Sequence, residues 1–571
     1  MFHYNGAMIL LVFLVVFLGA LGVRGTEGKA YCQPGDSCWP TEAEVKELYS
    51  ALDPSVKRDL VWKGVPNPIP SSIPIYSPNN QPLYGFGSRG LLPLYAKDQE
   101  HFTGKCFLKS PERRAECLAS VRNSPLNDWT PAFTVFPMDA PQISLAVQFA
   151  TNHNLCVMVA GTGHDFLNRH SCNNGVFIRT TLIKGAVVNT KGDGGEDSIT
   201  VGSGTTCSEA QAFAASQGLA VSCGWANTVG VAGWSIGGGH GPLAPSLGLG
   251  VDNLLGAEIV TADGNIQEVS SESNPDLYFA LRGGGGSTWG VMAKLTLRAH
   301  KIPQGGYTFV SSHFYSKSGM CKEGKEDLAK FIRAYMKWSQ SLDSLYSGLL
   351  FLTPSKSDLP GQCGGNWTAM PLYVYSGPDS DCNKTFVDFM KLVEGLPMAL
   401  PEKHSFNNLF EFYDAKPVEF VIPIGTMGPK PGVYAGGVPS VLVSREHVAN
   451  GNLEKLLNDG LNGCVENGAC SRLELYHDIT GQTNSVQASG TSISKGFREA
   501  MFHFVFGGDV TRTKSYYMLG NHSYFSESAY NQDGDTWKDR YWGDNYPRLL
   551  SIKNKWDKNG VFWCRHCVGD D

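Results

Sequence analysis

Gly224-Trp-Ala-Asn-Thr-Val-Gly-Val-Ala-Gly-Trp-Ser-Ile-Gly-Gly-Gly-His-Gly241 is the stretch of this 571-residue chain that decides its fold. Glycine recurs there far more densely than in the regions on either side, and it continues through LAPSLGLGVDN to Asn253. Ordered, strand-like and helix-like segments flank the stretch, so a disordered linker is a poor interpretation. Such a density indicates backbone that lies against a flat ligand, where side chains would clash.

Two further glycine-rich stretches stand before and after it. Val159–Phe166 reads VAGTGHDF and directly follows a buried strand, and Arg282–Gly290 reads RGGGGSTWG. Consecutive small residues after a strand let backbone N–H groups converge on an anion such as a pyrophosphate. The first stretch is neither a Walker A loop nor a GxGxxG fingerprint. A plain tight turn remains an alternative for it.

In chain order, GTGH164, TVGVAGWSIGGGHG, GLGVDN253 and RGGGGSTWG290 resemble the FAD-linked oxidases of the berberine-bridge-enzyme-like group. This group lies within the vanillyl-alcohol-oxidase, or PCMH-type, FAD-binding superfamily. The resemblance covers roughly residues 126–303 and extends to the tail, where YWGDNYPRLL550 and FWCRHCVG569 resemble the group's C-terminal segment. The N-terminal CQPGDSCWPTEAE and the CVG ending look most like the fungal-type members.

The resemblance implies an α+β fold. It predicts a two-subdomain PCMH-type FAD-binding domain of mixed sheets with helices, an α+β substrate-binding domain, and a berberine-bridge-type segment that returns to the FAD domain. The predicted divisions are a signal peptide at 1–25, an N-terminal extension at 26–125, the FAD-binding domain at 126–303, the substrate-binding domain at 304–520 and the C-terminal segment at 521–571.

Local patterns predict the elements of this fold. We expect helices at Thr41–Leu52, Pro141–His153, Cys207–Gln217, Lys325–Leu342 and Asp381–Leu396, and a further one in YPRLLSIKNKWD557. We expect strands in PAFTVFP, LCVMVAG, Gly348–Leu352 and Ala500–Phe506, and hairpins at Gly185–Val201 and Gly256–Val269.

The resemblance makes His164 the residue that bonds the flavin through its imidazole at the 8α carbon; the alternative is an ordinary turn histidine. A second, cysteinyl link is not expected, because Ala226 stands where doubly linked members have cysteine. Cys223, three residues earlier, is expected to pair with another cysteine instead. The other predicted FAD contacts are Ala160, Gly161, Thr162, Gly163, Asp165, Thr228, Val229, Gly230, Gly233, Gly238, Gly239, Asp252, Asn253, Asn545 and Tyr546.

The small side chain of Val229 occupies the position at which the group controls oxygen access, which favours an oxidase over a dehydrogenase. The implied activity is the oxidation of an alcohol-type substrate, a carbohydrate or a secondary metabolite, with O₂ reduced to H₂O₂. An alternative from a different class is a secreted flavin-carrying protein with little turnover. The partners expected are thus a small-molecule substrate and O₂.

The catalytic base is less well defined. The glutamate of the plant enzymes aligns loosely near Ser485, where the sequence has no carboxylate. Other members use a tyrosine in the tail, and Tyr530 is the candidate here, although Gln532 fits the same register. Tyr530 could equally be a packed aromatic residue. His240 is a second candidate, with a turn residue near the flavin as its alternative.

No metal is predicted. A zinc protein built from His164, His170 and the Cys564/His566/Cys567 cluster was the remaining alternative. The two histidines lie six residues apart in a loop, and the tail cysteines read better as a disulfide in an oxidising compartment.

The N-terminus and the cysteines predict a secreted protein. Met8–Val23 is an apolar run that is short for a transmembrane helix and typical of a signal peptide, and an uncleaved anchor or a lumenal location are the alternatives. The 15 cysteines fit an oxidising compartment. Close spacing suggests local disulfides for the pairs Cys32/Cys38, Cys106/Cys117, Cys363/Cys382, Cys464/Cys470 and Cys564/Cys567, although spacing alone does not fix the connectivity. Sequons make N-glycans possible at Asn366, Asn383 and Asn521. The formal net charge of −6 argues against nucleic acid or an anionic membrane as a partner.

Overall fold

A computed structural model describes the chain at residues 31–52, 61–63, 132–167, 169–170, 172, 174–190, 196–315, 322–355, 366–415, 438–467, 473–485, 490–506, 510–529 and 536–570. The predicted signal peptide and most of the predicted N-terminal extension lie outside these residues. Within them the fold is α+β, and this prediction is confirmed.

The first sheet carries the turn that ends in His164. Its strands are Val61–Lys63 (β1), Phe133–Val135 (β2), Val157–Ala160 (β3) and Val176–Arg179 (β4), in the order β1-β2-β4-β3. β4 pairs in parallel with both β2 and β3. The helix Ala140–Asn152 connects β2 to β3, and the Asp139 carboxylate caps it by accepting from the backbone N–H of Gln142. Its apolar face packs against the sheet, which places the β3 turn at the edge of a buried core.

The next part of the chain forms an antiparallel sheet. Its strands and those of a two-stranded neighbour are Ala186–Asn189 (β5), Ser198–Gly202 (β6), Leu219–Ala220 (β7), Leu254–Val260 (β8), Ile266–Ser270 (β9), Val291–Arg298 (β10) and His300–Lys301 (β11). The order is β5-β6-β10-β8-β9, and β7 pairs with β11. Both predicted hairpins are present, as β5–β6 and β8–β9. Along the chain, the glycine-rich stretch 224–241 lies between β7 and β8.

A larger antiparallel sheet follows. Its strands are Tyr307–Ser311 (β12), Phe314–Tyr315 (β13), Tyr346–Ser355 (β14), Asn366–Ser376 (β15), Glu402–Phe406 (β16), Ser440–Ser444 (β17), Leu473–His477 (β18) and Ala500–Phe506 (β19). The order is β16-β12-β15-β14-β18-β19-β17, with β13 against β15. In β18, Leu473, Leu475 and His477 are buried while Glu474 and Tyr476 between them are half-buried, so the two sets point to opposite faces. One face packs under long helices, and the other turns toward the glycine-rich stretch.

The six predicted helices are present, with ends within a few residues of the predicted ones. The helix predicted at Thr41–Leu52 spans Glu42–Ala51, and Thr41 is its cap in a capping box. The α-helices are Glu42–Ala51, Ala140–Asn152, Cys207–Ala215, Val231–Gly237, Ala244–Leu247, Gly250–Asn253, Pro275–Leu281, Lys322–Ser339, Asp379–Leu392, Leu409–Asp414, Arg445–Ala449, Asn452–Asn467, Gln482–Ser485, Gly496–Glu499, Val510–Tyr517, Trp537–Tyr541 and Tyr546–Trp556.

The C-terminal segment returns to the first two sheets. Lys553 in the last helix is buried, and its Nζ donates to the carbonyl oxygens of Thr288 at 2.7 Å and Phe562 at 2.6 Å. The same Nζ lies 2.7 Å from Asp557 Oδ2, so the buried charge is paired. Val157 of β3 and Phe562 form a parallel bridge. The tail is thereby joined to the strand that precedes His164.

Four disulfides join described cysteines: Cys32–Cys38, Cys156–Cys172, Cys207–Cys223 and Cys564–Cys567. The predicted pairs 32/38 and 564/567 are confirmed, as is the expectation that Cys223 pairs with another cysteine. The suggested Cys363/Cys382 pair is wrong, because Cys382 is a free, buried thiol. Cys106, Cys117, Cys363 and Cys470 lie outside the described residues. No helix in the described part of the chain is long and apolar enough to cross a membrane.

A half-buried histidine in β11 makes stability depend on pH. Burial, followed by the nearby Arg298 charge, lowers the pKa of His300 to about 4. The unfolded chain, with a histidine pKa of about 6.5, then binds more protons than the folded chain between these two values. We therefore expect the free energy of unfolding to fall as the pH drops from about 6.5 to about 4, with His300 contributing about 2 kcal/mol of that loss.

Urea unfolding at pH 7.0, 5.5 and 4.5 tests this expectation on the wild type and on His300→Gln. His300 Nε2 lies 2.7 Å from Asn253 Oδ1, and a glutamine amide can still donate to that oxygen. The variant should lose less stability on acidification than the wild type. Equal losses in both proteins would contradict the assignment.

Candidate functional site

His164 stands at the end of a turn that leaves the buried strand β3. Gly163 before it has a φ of +82°, a conformation that glycine adopts without strain, and this reverses the chain so that His164 faces inward. His164 Nε2 lies 3.1 Å from Thr228 Oγ1 of the second glycine-rich stretch. The turn and the stretch that the sequence singled out separately therefore meet at this histidine.

Asp165 and Arg169 fix the chain that follows. Asp165 Oδ1 accepts from Arg169 Nη2 at 2.6 Å, and its Oδ2 accepts from the backbone N–H of Leu167 and of Arg169. Arg169 also donates to the carbonyl oxygen of Phe525 and lies over the Phe525 ring, with its Cζ 3.5 Å from the ring centroid. The turn after β3 is thereby fastened to residues just inside the C-terminal segment.

A cavity of about 260 Å³ opens between these elements. Its wall contains residues of all three glycine-rich stretches, of β18 and of the segment around Phe525. The predicted cofactor contacts in the wall are Ala160, Gly161, Thr162, Gly163, His164, Asp165, Val229, Gly230 and Gly233. Gly233 faces open space, because a Cβ built there would meet nothing within 4 Å. One concave site thus collects residues that are more than 350 positions apart in the chain.

The remaining predicted contacts lie outside the cavity wall. Thr228 does not line the cavity itself, but its Oγ1 lies 3.1 Å from Nε2 of His164, which does. Asp252 forms a buried ion pair with Arg498, and the Asn253 amide donates to the carbonyl oxygens of Leu247, Gly248 and Leu249. Asn545 donates to the carbonyl oxygen of Ile493, and the Tyr546 hydroxyl accepts from Gly569 N–H. Gly238 and Gly239 pack closely against Tyr524 and against Gly250 and Trp234. These residues hold protein segments together and do not line the cavity.

The far end of the cavity holds His240. Its Nδ1 lies 2.7 Å from Asp478 Oδ2, which also accepts from Trp225 Nε1 at 2.7 Å. His240 Nε2 lies 3.6 Å from Glu527 Oε1. Glu527 Oε2 in turn lies 3.4 Å from Nε2 of His503 on β19. We call His240, Asp478, His503 and Glu527 the histidine–carboxylate cluster.

The rings of Tyr476 and Tyr524 enclose the histidine–carboxylate cluster. Their centroids lie 5.1 Å and 5.2 Å from that of His240, and both residues line the cavity. Tyr476 OH donates to Glu474 Oε2 at 2.6 Å. An oxygen-bearing molecule in the cavity would therefore meet an imidazole, a carboxylate and two phenol rings together.

Burial and charge act in opposite directions in this cluster. Burial lowers the pKa of His240, but the charges and hydrogen bonds of Asp478 and Glu527 outweigh it and raise the pKa to about 10. Burial also raises the pKa of Glu527, against the opposing effect of His240. The pKa of His503 lies well below its usual range because of burial and the neighbouring His240.

Of the residues predicted as candidate catalytic bases, the structure places one in the cavity. His240 lies in the cavity and is buried. Tyr530 and Gln532 lie outside the described residues, so both stay predictions. Ser485 is exposed at the end of a short helix, and its Oγ donates within that helix to Gln482. Asp478, His503, Glu527 and Tyr476 were not predicted from the sequence. The alternation of Glu474 and Tyr476 with Leu473, Leu475 and His477 in β18 was the one local signal that could have indicated part of the site.

Several buried polar atoms suit an anionic, aromatic cofactor. Ser203 Oγ and Trp289 Nε1 belong to cavity residues and are buried without a hydrogen-bond partner among the described residues. Arg179 pairs with Ala160 across β3 and β4, and burial lowers its pKa to about 9. Its Nε and Nη1 also have no hydrogen-bond partner in the described structure. Buried donors and a buried cation beside a glycine turn fit a pyrophosphate-bearing group such as FAD.

The zinc alternative from the sequence is not supported at its predicted position. The sulfur atoms of Cys564 and Cys567 are joined in a disulfide, so they offer no thiolate ligands. His170 is buried, and burial lowers its pKa to about 4.

Two families of known proteins match this chain, one over a region that contains the first two glycine-rich stretches and one over the tail. A family described as "FAD binding domain" matches residues 131–270, and a family described as "Berberine and berberine like" matches residues 518–569. The chain is 26% identical to FAD-linked oxidoreductase ZEB1 of Gibberella zeae, an alignment that covers 98% of this chain and 96% of that protein.

Solved structures share the fold at lower identity. The VAO-type flavoprotein MtVAO713 from Myceliophthora thermophila C1 superposes with a TM-score of 0.73 at 19% identity, covering 95% of this chain and 97% of that one. A xylooligosaccharide oxidase from the same organism, in complex with xylobiose, gives a TM-score of 0.60 at 17% identity, covering 77% and 91%.

Proposed function

We propose that this chain is a secreted oxidase of the berberine-bridge-enzyme-like group of FAD-linked oxidoreductases, which carries FAD on His164 and oxidises an alcohol. The observation that carries the proposal is the continuity of the cavity. One cavity is lined both by the His164 turn and by His240, Tyr476 and Glu527. A cofactor held at one end would therefore share its compartment with polar groups that can receive a substrate.

The proposed cofactor site is formed mostly by backbone atoms. The turn 160–165, the stretch around Gly230 and Gly233, and Gly285 and Gly286 would leave room for a flat ring system, and Ser203 in the cavity wall would meet the phosphates of the cofactor. FAD, when bound, supplies hydride acceptance and reoxidation by O₂. His164 would anchor it covalently, and with Ala226 in the wall we expect no second link.

The cavity wall also supports the oxidase assignment. Val229 is the small residue at the position that the resemblance connects with oxygen access, and it lines the cavity. Asp478 holds the His240 ring by its Nδ1, so that Nε2 points toward Glu527 and the cavity. A substrate hydroxyl at this end would be positioned by these groups and shielded from water by Tyr476 and Tyr524.

We propose a carbohydrate or a hydroxylated secondary metabolite as the substrate, with H₂O₂ as the second product. The xylooligosaccharide oxidase among the solved neighbours supports the carbohydrate class. The secondary-metabolite class follows from the family resemblance alone. Secretion is supported by the four disulfides. Asn521 of the third sequon is exposed and accessible to a glycan.

Purified full-length protein tests the proposal. It should be yellow, stay yellow after acid precipitation, and consume O₂ with stoichiometric H₂O₂ on at least one member of a panel of oligosaccharides and alcohols. Yellow protein without turnover across the panel would favour the flavin-carrying alternative. Colourless protein, after expression with added riboflavin, would overturn the flavin assignment itself.

A further inference from the structure

The histidine–carboxylate cluster has the composition of a metal site. His240 Nε2, His503 Nε2 and the Glu527 carboxylate come from three separate parts of the chain, and their ligand atoms all lie within 4.8 Å of one another. His240 ends the glycine-rich stretch, His503 sits in the middle of β19, and Glu527 follows a turn beyond Tyr524. Two imidazoles and one carboxylate are a ligand set used by zinc enzymes that keep an open coordination position.

The cluster contains polar atoms that the protein itself leaves unsatisfied. His503 is fully buried, and neither of its ring nitrogens has a hydrogen-bond partner among the described residues. Glu527 Oε2 is likewise buried, without a hydrogen-bond partner in the described structure. Leaving such groups without hydrogen bonds in the interior costs folding free energy. Glu527 Oε2 and His503 Nε2 lie 3.4 Å apart, so one bound ion would satisfy these two atoms together.

Distances in the cluster fit a small divalent ion. Zinc bonds nitrogen and oxygen at about 2.0–2.1 Å in a tetrahedron, whose ligand atoms are then about 3.3–3.4 Å apart. Glu527 Oε2 lies 3.4 Å from His503 Nε2, and Glu527 Oε1 lies 3.6 Å from His240 Nε2. One ligand atom of each residue lies within 4.8 Å of the others, so the side chains would have to move closer together around the ion.

A supporting partner is also in place. A histidine that ligates a metal usually donates its other ring N–H to a carboxylate, which fixes the ring and strengthens the ligand. The Asp478 carboxylate makes such a contact, because its Oδ2 lies 2.7 Å from His240 Nδ1. The same oxygen accepts a hydrogen bond from Trp225 Nε1. Asp478 is fully buried, so its orientation is fixed by packing.

We propose that His240, His503 and Glu527 bind one Zn²⁺ ion, with the open coordination position directed into the cavity. This departs from the sequence-based expectation of no metal. Metal binding itself does not depend on FAD. The role of the open position, to take the hydroxyl oxygen of the substrate as a ligand, rests on the proposed oxidase function.

The test uses full-length protein that has been stripped with a chelator and then dialysed. Titration with ZnCl₂ followed by calorimetry should give one equivalent per chain. Replacing Zn²⁺ with Co²⁺ should give the visible absorption of a four-coordinate ion, measured on flavin-depleted protein or as a difference spectrum. Flavin content is measured on the same samples, so that failure of the flavin proposal and failure of the metal proposal are seen separately.

Glu527→Gln removes a ligand with almost no change of shape and should weaken Zn²⁺ binding by at least about tenfold. His503→Gln should do the same. His477→Gln is the matched control, because His477 is also fully buried but sits on the opposite face of β18, beside Phe502 and Tyr373. It should bind Zn²⁺ like the wild type.

Thermal unfolding followed by circular dichroism establishes that each variant is folded. One equivalent that is weakened in Glu527→Gln and His503→Gln and retained in His477→Gln supports the site. Absence of Zn²⁺ and Co²⁺ binding by the folded wild type overturns it. Binding that Glu527→Gln and His503→Gln both leave intact overturns it as well, because the ion would then be held elsewhere.

Discussion

Replacing His164 with alanine is expected to turn a flavin that survives acid precipitation into one that is released completely. The His164 imidazole is the proposed point of covalent attachment. The other groups around the turn can hold FAD only non-covalently. Loss of the electron-withdrawing bond should also lower the flavin potential and slow turnover roughly tenfold, equivalent to a barrier higher by about 1.4 kcal/mol. Acid precipitation followed by absorbance of pellet and supernatant measures the first effect, and O₂ consumption measures the second.

His170→Ala is the matched control for this experiment. His170 lines the same cavity six residues further along the chain and is also buried. The control should keep its flavin in the pellet. If His164→Ala retains flavin after denaturation, another residue is the anchor and the assignment of His164 is wrong.

Arg498→Met is expected to lower the free energy of unfolding by about 3–5 kcal/mol. Arg498 Nη2 and Nη1 lie 2.6 Å and 2.9 Å from the two carboxylate oxygens of Asp252, and both side chains are buried. The substitution leaves the Asp252 carboxylate in the interior with only the Leu249 N–H as a donor among these contacts. Removing one partner of a buried pair costs far more than removing both.

Urea unfolding of three variants tests this reasoning. The double variant Asp252→Asn with Arg498→Met should recover part of the loss, because no unpaired charge remains. Lys391→Met breaks the exposed Lys391–Asp388 pair and should change stability by less than about 1 kcal/mol. A loss in Arg498→Met no greater than that in Lys391→Met would refute a stabilising role for the buried pair.

Local pattern accounts for most of what could be predicted. Strict apolar runs and caps determine elements such as the Thr41-capped helix and the β5–β6 hairpin, and neither requires knowledge of distant residues. The glycine-rich stretches 159–166 and 224–241 could also be recognised from local sequence alone. In the structure they lie together around one cavity.

The histidine–carboxylate cluster could not be predicted in this way. Asp478 is 238 positions from His240, and its pairing depends on how β18 and β19 lie over the glycine-rich stretch. Asp252 and Asn253 show a second limit of prediction from sequence, since a motif can be recognised while the role of its residues is not. They stand inside a recognisable motif, yet their polar atoms are engaged by Arg498, His300 and backbone carbonyl groups. A motif identifies residues that a fold requires, and only the assembled structure separates ligand contacts from supporting contacts.

The return of the tail sets the order of events during synthesis of the protein. Phe525 and Glu527 complete the cavity wall, and Lys553 and Phe562 bind segments beside β3 and Thr288. A ribosome must therefore release almost the whole chain before the pocket is complete. A cofactor that arrives earlier meets an open, hydrated groove, so flavin loading belongs to the end of biogenesis. Chains that terminate early should lack flavin even when their first sheet has formed.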